Sequence, residues 1–215
     1  IDQKHMDIAA SIQCVIEEII LEITSDLYQT YKINNLCLAG GVALNCVANG
    51  KIINSKKIFK NVWIQPAAGD AGGSLGAALA LYFSYYNSER KKHSIDDSMN
   101  GSFLGQEYNK EEIESLLVEK KIKFTKHSEI ELLRTVANKI KEGLAVGWFQ
   151  GRMEFGPRAL GNRSIIADPR SELMQKNLNL KVKFRESFRP FAPAILEEDV
   201  STWFETAKGN PYMLI

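Results

Sequence analysis

Gly147 to Ser164, GWFQGRMEFGPRALGNRS, hold the residues best suited to chemistry in this chain. Arg152, Arg158 and Arg163 each offer a planar, permanently charged fork that matches carboxylates and phosphates. Gly151, Gly156 and Gly161 recur through the same loop and allow backbone N–H groups to approach an anion closely. Ser164 adds a hydroxyl, but no histidine neighbours it in sequence, so it is not read as a nucleophile. A second basic cluster, Lys181, Lys183, Arg185 and Arg189, lies in KVKFRESFRPFAP. The two clusters predict a site for a polyanionic small molecule, a nucleotide or a phosphorylated substrate. The competing reading is solvated arginines, or arginines paired with Glu154, Asp168 and Glu186.

Two further stretches suit phosphate. AGGVALN, residues 39–45, and AAGDAGGSLGAA, residues 67–78, each place glycines between a strand and a helix. Such turns present free N–H groups and a positive helix end. Gly40 and Gly41 permit close approach, and Asn45 is placed to hydrogen-bond a ribose or phosphate. Asp70 is the one acid in its glycine-rich turn. It suits a metal ion or a metal-bound water, or else caps the following helix.

These loops need elements to hold them. Ile8, Ile12, Val15, Ile16, Ile19, Ile20, Ile23 and Leu27 recur at helical spacing over residues 7–27. Short strands are expected at Leu36–Leu38 and Val62–Gln65, with helices at Val42–Ile53 and about Leu75–Tyr85. Two strand–glycine-turn–helix units in sequence indicate an α/β fold. The polar stretch NSERKKHSIDDSMNG, residues 87–101, reads as a linker or surface crossing, with Arg90, Lys91 and Lys92 as a solvated charge run. Helices follow at Glu111–Glu119, Glu129–Glu142 and Leu173–Val182. Strands are expected at Lys123–Lys126, Leu144–Phe149, Ser164–Ala167 and Phe188–Leu196, the last interrupted by Pro190 and Pro193. His93 and His127 are isolated and read as surface histidines.

Composition sets the outer bounds. The chain has 215 residues, 45% hydrophobic and 25% charged, which suits one large globular domain or two small ones. The formal net charge of +1 supplies no global field for nucleic acid, so any anion site is local. No apolar run reaches membrane-spanning length, and the first residues lack a signal-peptide pattern. Cys14, Cys37 and Cys46 are odd in number and lie in apolar surroundings, which argues against disulfides and zinc and for a reducing, cytoplasmic setting. Ile1 in place of a starting methionine and the apolar end PYMLI point to a piece of a longer protein.

Four stretches together, LCLAGGVALNCVANGKI, VWIQPAAGDAGGSLGAAL, GWFQGRMEFGPRALGNRSIIADPR and VKFRESFRPFAPAIL, resemble the carbamoyltransferase family, which includes nodulation-factor and antibiotic O-carbamoyltransferases. The resemblance runs in order from DIAASIQ to FAPAIL. It implies the back part of an actin- and sugar-kinase-like (ribonuclease H-like) domain over residues 1–88 and a linker over 89–100. An incomplete C-terminal domain, similar to carbamoyl-adenylate synthases, would cover 101–215. A front part with two metal-binding histidines would lie upstream of Ile1, and the end of the second domain beyond Ile215.

The implied activity has two steps: carbamoyl phosphate and ATP give carbamoyl-adenylate, and the carbamoyl group passes to a hydroxyl of a sugar or secondary-metabolite acceptor. By the resemblance, Gly40, Gly41, Asn45, Gly72 and Gly73 contact nucleotide. Asp70 ligates a divalent metal, iron (Fe2+) or Mg2+. Arg152, Arg158, Arg163, Ser164, Lys183, Arg185 and Arg189 hold carbamoyl phosphate and the ATP phosphates. The 215 residues alone are expected not to turn over.

Two other classes fit less of the chain. A phosphotransferase of the actin-like superfamily accounts for the glycine turns and Asp70 but not for the second half. An RNA-binding module would use the arginines, yet only Phe184 and Phe188 interleave with basic residues as stacking platforms. The expected partners are therefore small molecules, with no nucleic acid and no membrane.

Overall fold

The computed structural model describes residues 2–54, 58–89, 97–205 and 209–215. His93, the charge run at Arg90 to Lys92 and most of the expected linker lie outside the described residues. The chain is mixed α/β and divides into two units. One is Ile1–Ser102 with Phe155–Arg158 and Tyr212–Ile215; the other is Phe103–Glu154 with Ala159–Pro211.

The first unit opens with α1 (Gln3–Tyr31), whose N-terminus is closed by a reciprocal cap between Asp2 and His5 and whose end turns left-handed at Lys32. The periodicity at 7–27 is thus a helix, but only part of its apolar stripe is packed: Ile16 and Ile20 are half-buried. Ile8, Ile12, Val15, Ile19, Ile23 and Leu27 remain exposed, while Glu17 and Thr24 are buried. Polar bonding explains the choice of face, because Glu17 is held by Lys51 of α2 (Cys46–Asn54) and by Gln13.

Strands β1 (Asn35–Leu38) and β2 (Asn61–Ile64) pair in parallel, with Leu36 opposite Val62 and Leu38 opposite Ile64. A parallel pair needs a crossover, supplied here by a short 3-10 turn at Gly41–Leu44 and by α2. The single helix expected at Val42–Ile53 is therefore two pieces, broken at Asn45, whose backbone is extended. The core is Ala43, Ile64, Ala68 and Leu214, flanked by Leu38, Leu44, Val62 and Tyr212. Buried Asn49 donates to the carbonyls of Ala43 and Leu214, each at 2.8 Å. Helix α3 (Asp70–Ala80) starts five residues earlier than the sequence suggests and runs into a wider π turn at Leu81–Tyr85.

In the second unit, α4 (Lys110–Glu119) and α5 (Glu129–Lys141) each begin with a reciprocal cap, Asn109 with Glu112 and Ser128 with Glu131. Strands β3 (Val146–Phe149) and β4 (Arg163–Ile166) pair antiparallel, with Phe149 opposite Arg163. Then come α6 (Met174–Asn177), a π turn at Leu178–Lys183 and α7 (Val200–Trp203). Two expected strands do not form. Lys123–Lys126 has no strand partner, and Phe188–Leu196 is irregular because Pro190 and Pro193 lack the N–H a ladder needs. Cys14 and Cys37 are exposed rather than sheltered, and all three cysteines are free. His127 is exposed. Among the described residues no helix is long and apolar enough to cross a membrane.

Candidate functional site

The two glycine turns of the first unit are tied together. Gly40 has a positive φ of 96°, and its N–H donates to the Ala68 carbonyl at 2.8 Å. A side chain at Gly40, Gly41 or Gly73 would meet open space, so these backbones are approachable. Gly72 differs: a Cβ there would sit 2.1 Å from the Ala67 carbonyl oxygen. That glycine is required for close packing of α3 on its own turn. Asn45 is already committed. Its Oδ1 accepts from the Ala48 N–H at 3.2 Å, capping α2, and its Nδ2 donates to Gln13 at 2.9 Å. Gln13 in turn donates to Glu17 at 2.6 Å, and the Lys51 ammonium followed by Gln13 holds the Glu17 carboxyl below its ordinary range.

Asp70 is the first residue of α3, after Gly69 at the cap position, and its exposed carboxylate makes no hydrogen bond among the described residues. The capping alternative is therefore not what it does. Among the described residues no three His, Cys, Asp or Glu side chains gather as a metal would require. The described residues by themselves do not make up a metal centre.

Part of the arginine loop belongs to this same unit. The Phe155 N–H donates to the Ser102 carbonyl at 2.7 Å. Gly156, with φ of 127°, lies so near Ala67 that a Cβ would be 3.3 Å from the alanine methyl. Arg158 donates from Nη2 to the Leu44 carbonyl at 2.9 Å, while its Nε is buried and has no hydrogen-bond partner among the described residues. Arg158 thus joins Gly40, Gly41, Asn45 and Asp70 in one unit, one bond from the Gly41–Leu44 turn.

The rest of the loop lies in the second unit. Arg163 donates from Nη1 to the Gln150 and Asn162 carbonyls at 2.7 and 2.8 Å, and from Nη2 to Gly151 and Gln106 at 3.1 and 3.3 Å. Its guanidinium lies 3.5 Å from the centre of the Phe149 ring, so this arginine fixes the loop as well as charging it. Arg152 bonds the Gly105 carbonyl at 3.2 Å and approaches Glu107 at 3.5 Å. Ser164 accepts from the Gly161 N–H at 3.0 Å, a structural bond rather than a nucleophile's.

The second basic loop turns around Asn179, which is fully buried. Its Nδ2 donates to the carbonyls of Ser187 and Arg189 at 3.1 and 2.8 Å, and its Oδ1 accepts from Arg185 Nε at 2.6 Å. Arg189 pairs with Glu186 at 2.8 Å, and Lys183 makes no side-chain bond among the described residues. Asp168 binds Arg170, which holds its carboxyl at about 2, and not a loop arginine. Of the predicted basic residues, Arg152 and Arg189 are paired with acids. Arg158, Arg163 and Lys183 form no ion pair among the described residues, and Arg185 acts on the Glu186 carboxyl only through its field.

Comparison with known proteins gives the family. Residues 1–79 match the family profile described as Carbamoyltransferase N-terminus, and residues 137–215 match Carbamoyltransferase C-terminus. The chain belongs to the carbamoyltransferase family. It is 39% identical to nodulation protein NolO of Bradyrhizobium diazoefficiens, over 98% of this chain and 38% of the relative. It is 42% identical to nodulation protein NolNO of Sinorhizobium fredii, over 94% and 29%. An uncharacterized Synechocystis protein is 54% identical over 99% and 35%. The chain therefore spans about a third of the length of these curated relatives.

In this carbamoyltransferase chain three residues that shape the loops are not legible as site residues in the sequence: Gln13, Glu154 and Asn179. Glu154 is visible there only as a possible ion-pair partner, yet its carboxylate binds backbone. Asn179, in an apolar helix turn, is a buried polar residue whose signal is its isolation in LNLKVK.

Proposed function

We propose that the protein is an O-carbamoyltransferase that makes carbamoyl-adenylate from carbamoyl phosphate and ATP and passes the carbamoyl group to a hydroxyl of a sugar or secondary-metabolite acceptor. The observation that carries this reading is uncompensated positive charge. Arg158, Arg163 and Lys183 form no ion pair among the described residues, which is the condition for receiving anions. Joining two polyanions needs charge neutralisation and positioning more than acid–base groups, and the loops contain no nucleophile–base pair.

Atom balance defines the steps. Carbamoyl phosphate loses its phosphate to water, the carbamate oxygen attacks the ATP α-phosphorus, and pyrophosphate leaves. The acceptor oxygen then attacks the carbamoyl carbon, its proton is lost to solvent, and AMP departs. Arg163, Lys183 and Arg185 would serve the first step in a carbamoyl-adenylate-synthase-like unit. Gly40, Gly41 and Arg158 would serve transfer in an actin-like unit, of which the parallel β1–β2 pair and α2 are part. Asp70 keeps a free carboxylate that suits one ligand of a metal.

The test is thermal unfolding of the full-length protein with carbamoyl phosphate, ATP, or inorganic phosphate, coupled to an assay for pyrophosphate. A ligand at a hundred times its dissociation constant adds about 2.7 kcal/mol. Stabilisation by carbamoyl phosphate and ATP beyond phosphate, with pyrophosphate released only when both are present, is the expected result. Stabilisation by ATP alone, with phosphorylated acceptor as product, would instead make it a phosphotransferase.

A further inference from the structure

Glu154 stands at the base of the arginine loop, with only 8% of its surface exposed. One carboxylate oxygen, Oε1, accepts three backbone N–H bonds: from Leu160 at 2.8 Å, Asn162 at 2.8 Å and Arg163 at 3.2 Å. Burial alone would raise this carboxyl. The N–H groups of Asn162 and Leu160 outweigh it and hold the carboxyl below its ordinary range, so the side chain is an anion. It forms no ion pair with a loop arginine, since Arg152 turns to Glu107 and Arg163 to backbone carbonyls.

Successive backbone N–H groups converging on one oxygen make a concave anion site. Here the anion is internal. The glycine at 161, with φ of 112°, lets the chain curl so that flanking N–H groups aim at Glu154, while its own N–H bonds Ser164 Oγ. Asn162 closes the arch by donating from Nδ2 to the Arg152 carbonyl at 2.7 Å, and the Gln150 N–H donates to the Asn162 carbonyl at 3.1 Å.

We propose that Glu154 is a positioning residue: its carboxylate fills the concave N–H site formed by Leu160, Asn162 and Arg163, so that substrate anions are received there by the arginine side chains and not by these N–H groups. This rests on the reading of the loop as an anion-binding element. It departs at Gly161 from the expectation that the loop glycines bring N–H groups to the substrate. A loop arm whose N–H groups from Leu160 to Arg163 are already occupied is preorganised, and the Arg163 guanidinium is held in place before the ligand arrives.

The experiment uses the full-length protein with Glu154→Ala and Glu154→Gln. Amide hydrogen exchange is read at Leu160, Asn162 and Arg163, and carbamoyl phosphate binding is measured by titration, each with and without added formate, with chloride as control. In Glu154→Ala the three amides are expected to exchange faster and binding to weaken by at least about tenfold. Formate, a free carboxylate of the right charge and size, should restore both, which a general loss of packing would not allow. Glu154→Gln keeps an acceptor oxygen and should fall between the two; it also carries the test if the alanine variant does not fold. Unchanged exchange at the three amides, or a binding loss in a folded variant that formate does not repair, overturns the proposal. Failure of the wild-type protein to bind carbamoyl phosphate would count against the carbamoyltransferase reading alone, because the exchange and its rescue by formate are read without substrate.

Discussion

Arg158 and Leu44 are joined across more than a hundred residues of chain by one bond, from the guanidinium Nη2 to the backbone carbonyl at 2.9 Å. The bond fixes a cation beside the Gly41–Leu44 turn without cancelling its charge, since a carbonyl is neutral. The buried Nε of the same side chain, without a hydrogen-bond partner among the described residues, is unusual, because buried donors are nearly always satisfied. Among the described residues, Arg158 therefore keeps its charge and its Nη1 donors uncommitted beside that turn.

Arg158→Ala is expected to weaken carbamoyl phosphate binding by about tenfold or more, the scale of a charge-assisted bond. Arg158→Lys should recover little, because an ammonium cannot bond Leu44 and a ligand with one fixed fork. Titration calorimetry on the three proteins decides it. Full affinity in the lysine variant would mean that a point charge suffices and that the Leu44 anchor is irrelevant to binding.

Asn49 makes the next prediction. It is 2% exposed and donates to two carbonyls, those of Ala43 and Leu214. Asn49→Leu removes both donated bonds from the core and leaves the Ala43 carbonyl without its side-chain donor, at a cost of about 1–3 kcal/mol. The unfolding temperature should fall by several degrees, with Asn49→Asp falling as far because a carboxylate cannot donate to a carbonyl. A wild-type melting curve for Asn49→Leu would show that Leu214 is not held by this bond.

Why some of this was legible and some not follows from the range of the interactions. The caps at Asn109 and Ser128 are local, three residues from their partners, so α4 and α5 are readable from sequence. Strand β3 is an apolar run and is equally readable. The exposed stripe on α1 was not, because burial of Glu17 depends on Lys51, which lies 34 positions away. At Phe188–Leu196 the apolar content suggests a strand, but the missing N–H groups of Pro190 and Pro193 forbid a ladder. At the candidate site the arginines and glycines announce themselves by type. Glu154 and Asn179 do not, since an acid and an amide that bind backbone look like any surface pair until the loop is closed around them.

Tyr212 and Asp97 give a prediction in pH. Burial, then the hydrogen bond to Asp97, pushes the Tyr212 hydroxyl from 10.0 up to about 12. The neutral phenol is thus favoured by folding: its contribution is complete below pH 10 and disappears as pH rises toward 12. Asp97 runs the other way. Burial opposes its ionisation, but the Tyr212 hydroxyl and the N–H groups of Gly101 and Met99 prevail and keep it below 3.8, so its contribution fades only in acid. Melting temperature against pH should therefore drop more steeply above pH 10 in the wild type than in Tyr212→Phe. Parallel alkaline limbs in the two proteins would contradict the bond.

Phe184 holds a left-handed backbone, φ 50° and ψ 50°, with its ring 85% exposed. The conformation is imposed from below: the N–H groups of both Phe184 and Arg185 bond the Asn179 carbonyl. A side chain in this region costs roughly 1–2 kcal/mol, and the greater freedom of glycine when unfolded returns about half of that. Phe184→Gly is accordingly expected to raise stability by up to about 1 kcal/mol, a gain of about 2–4 °C for a chain of this size. The basic residues on either side keep their positions, so binding of inorganic phosphate to the loop should be unchanged. A lower melting temperature would show that the ring is packed against something in the full-length protein, and weaker ATP binding with phosphate binding intact would show that what it packs against is the base.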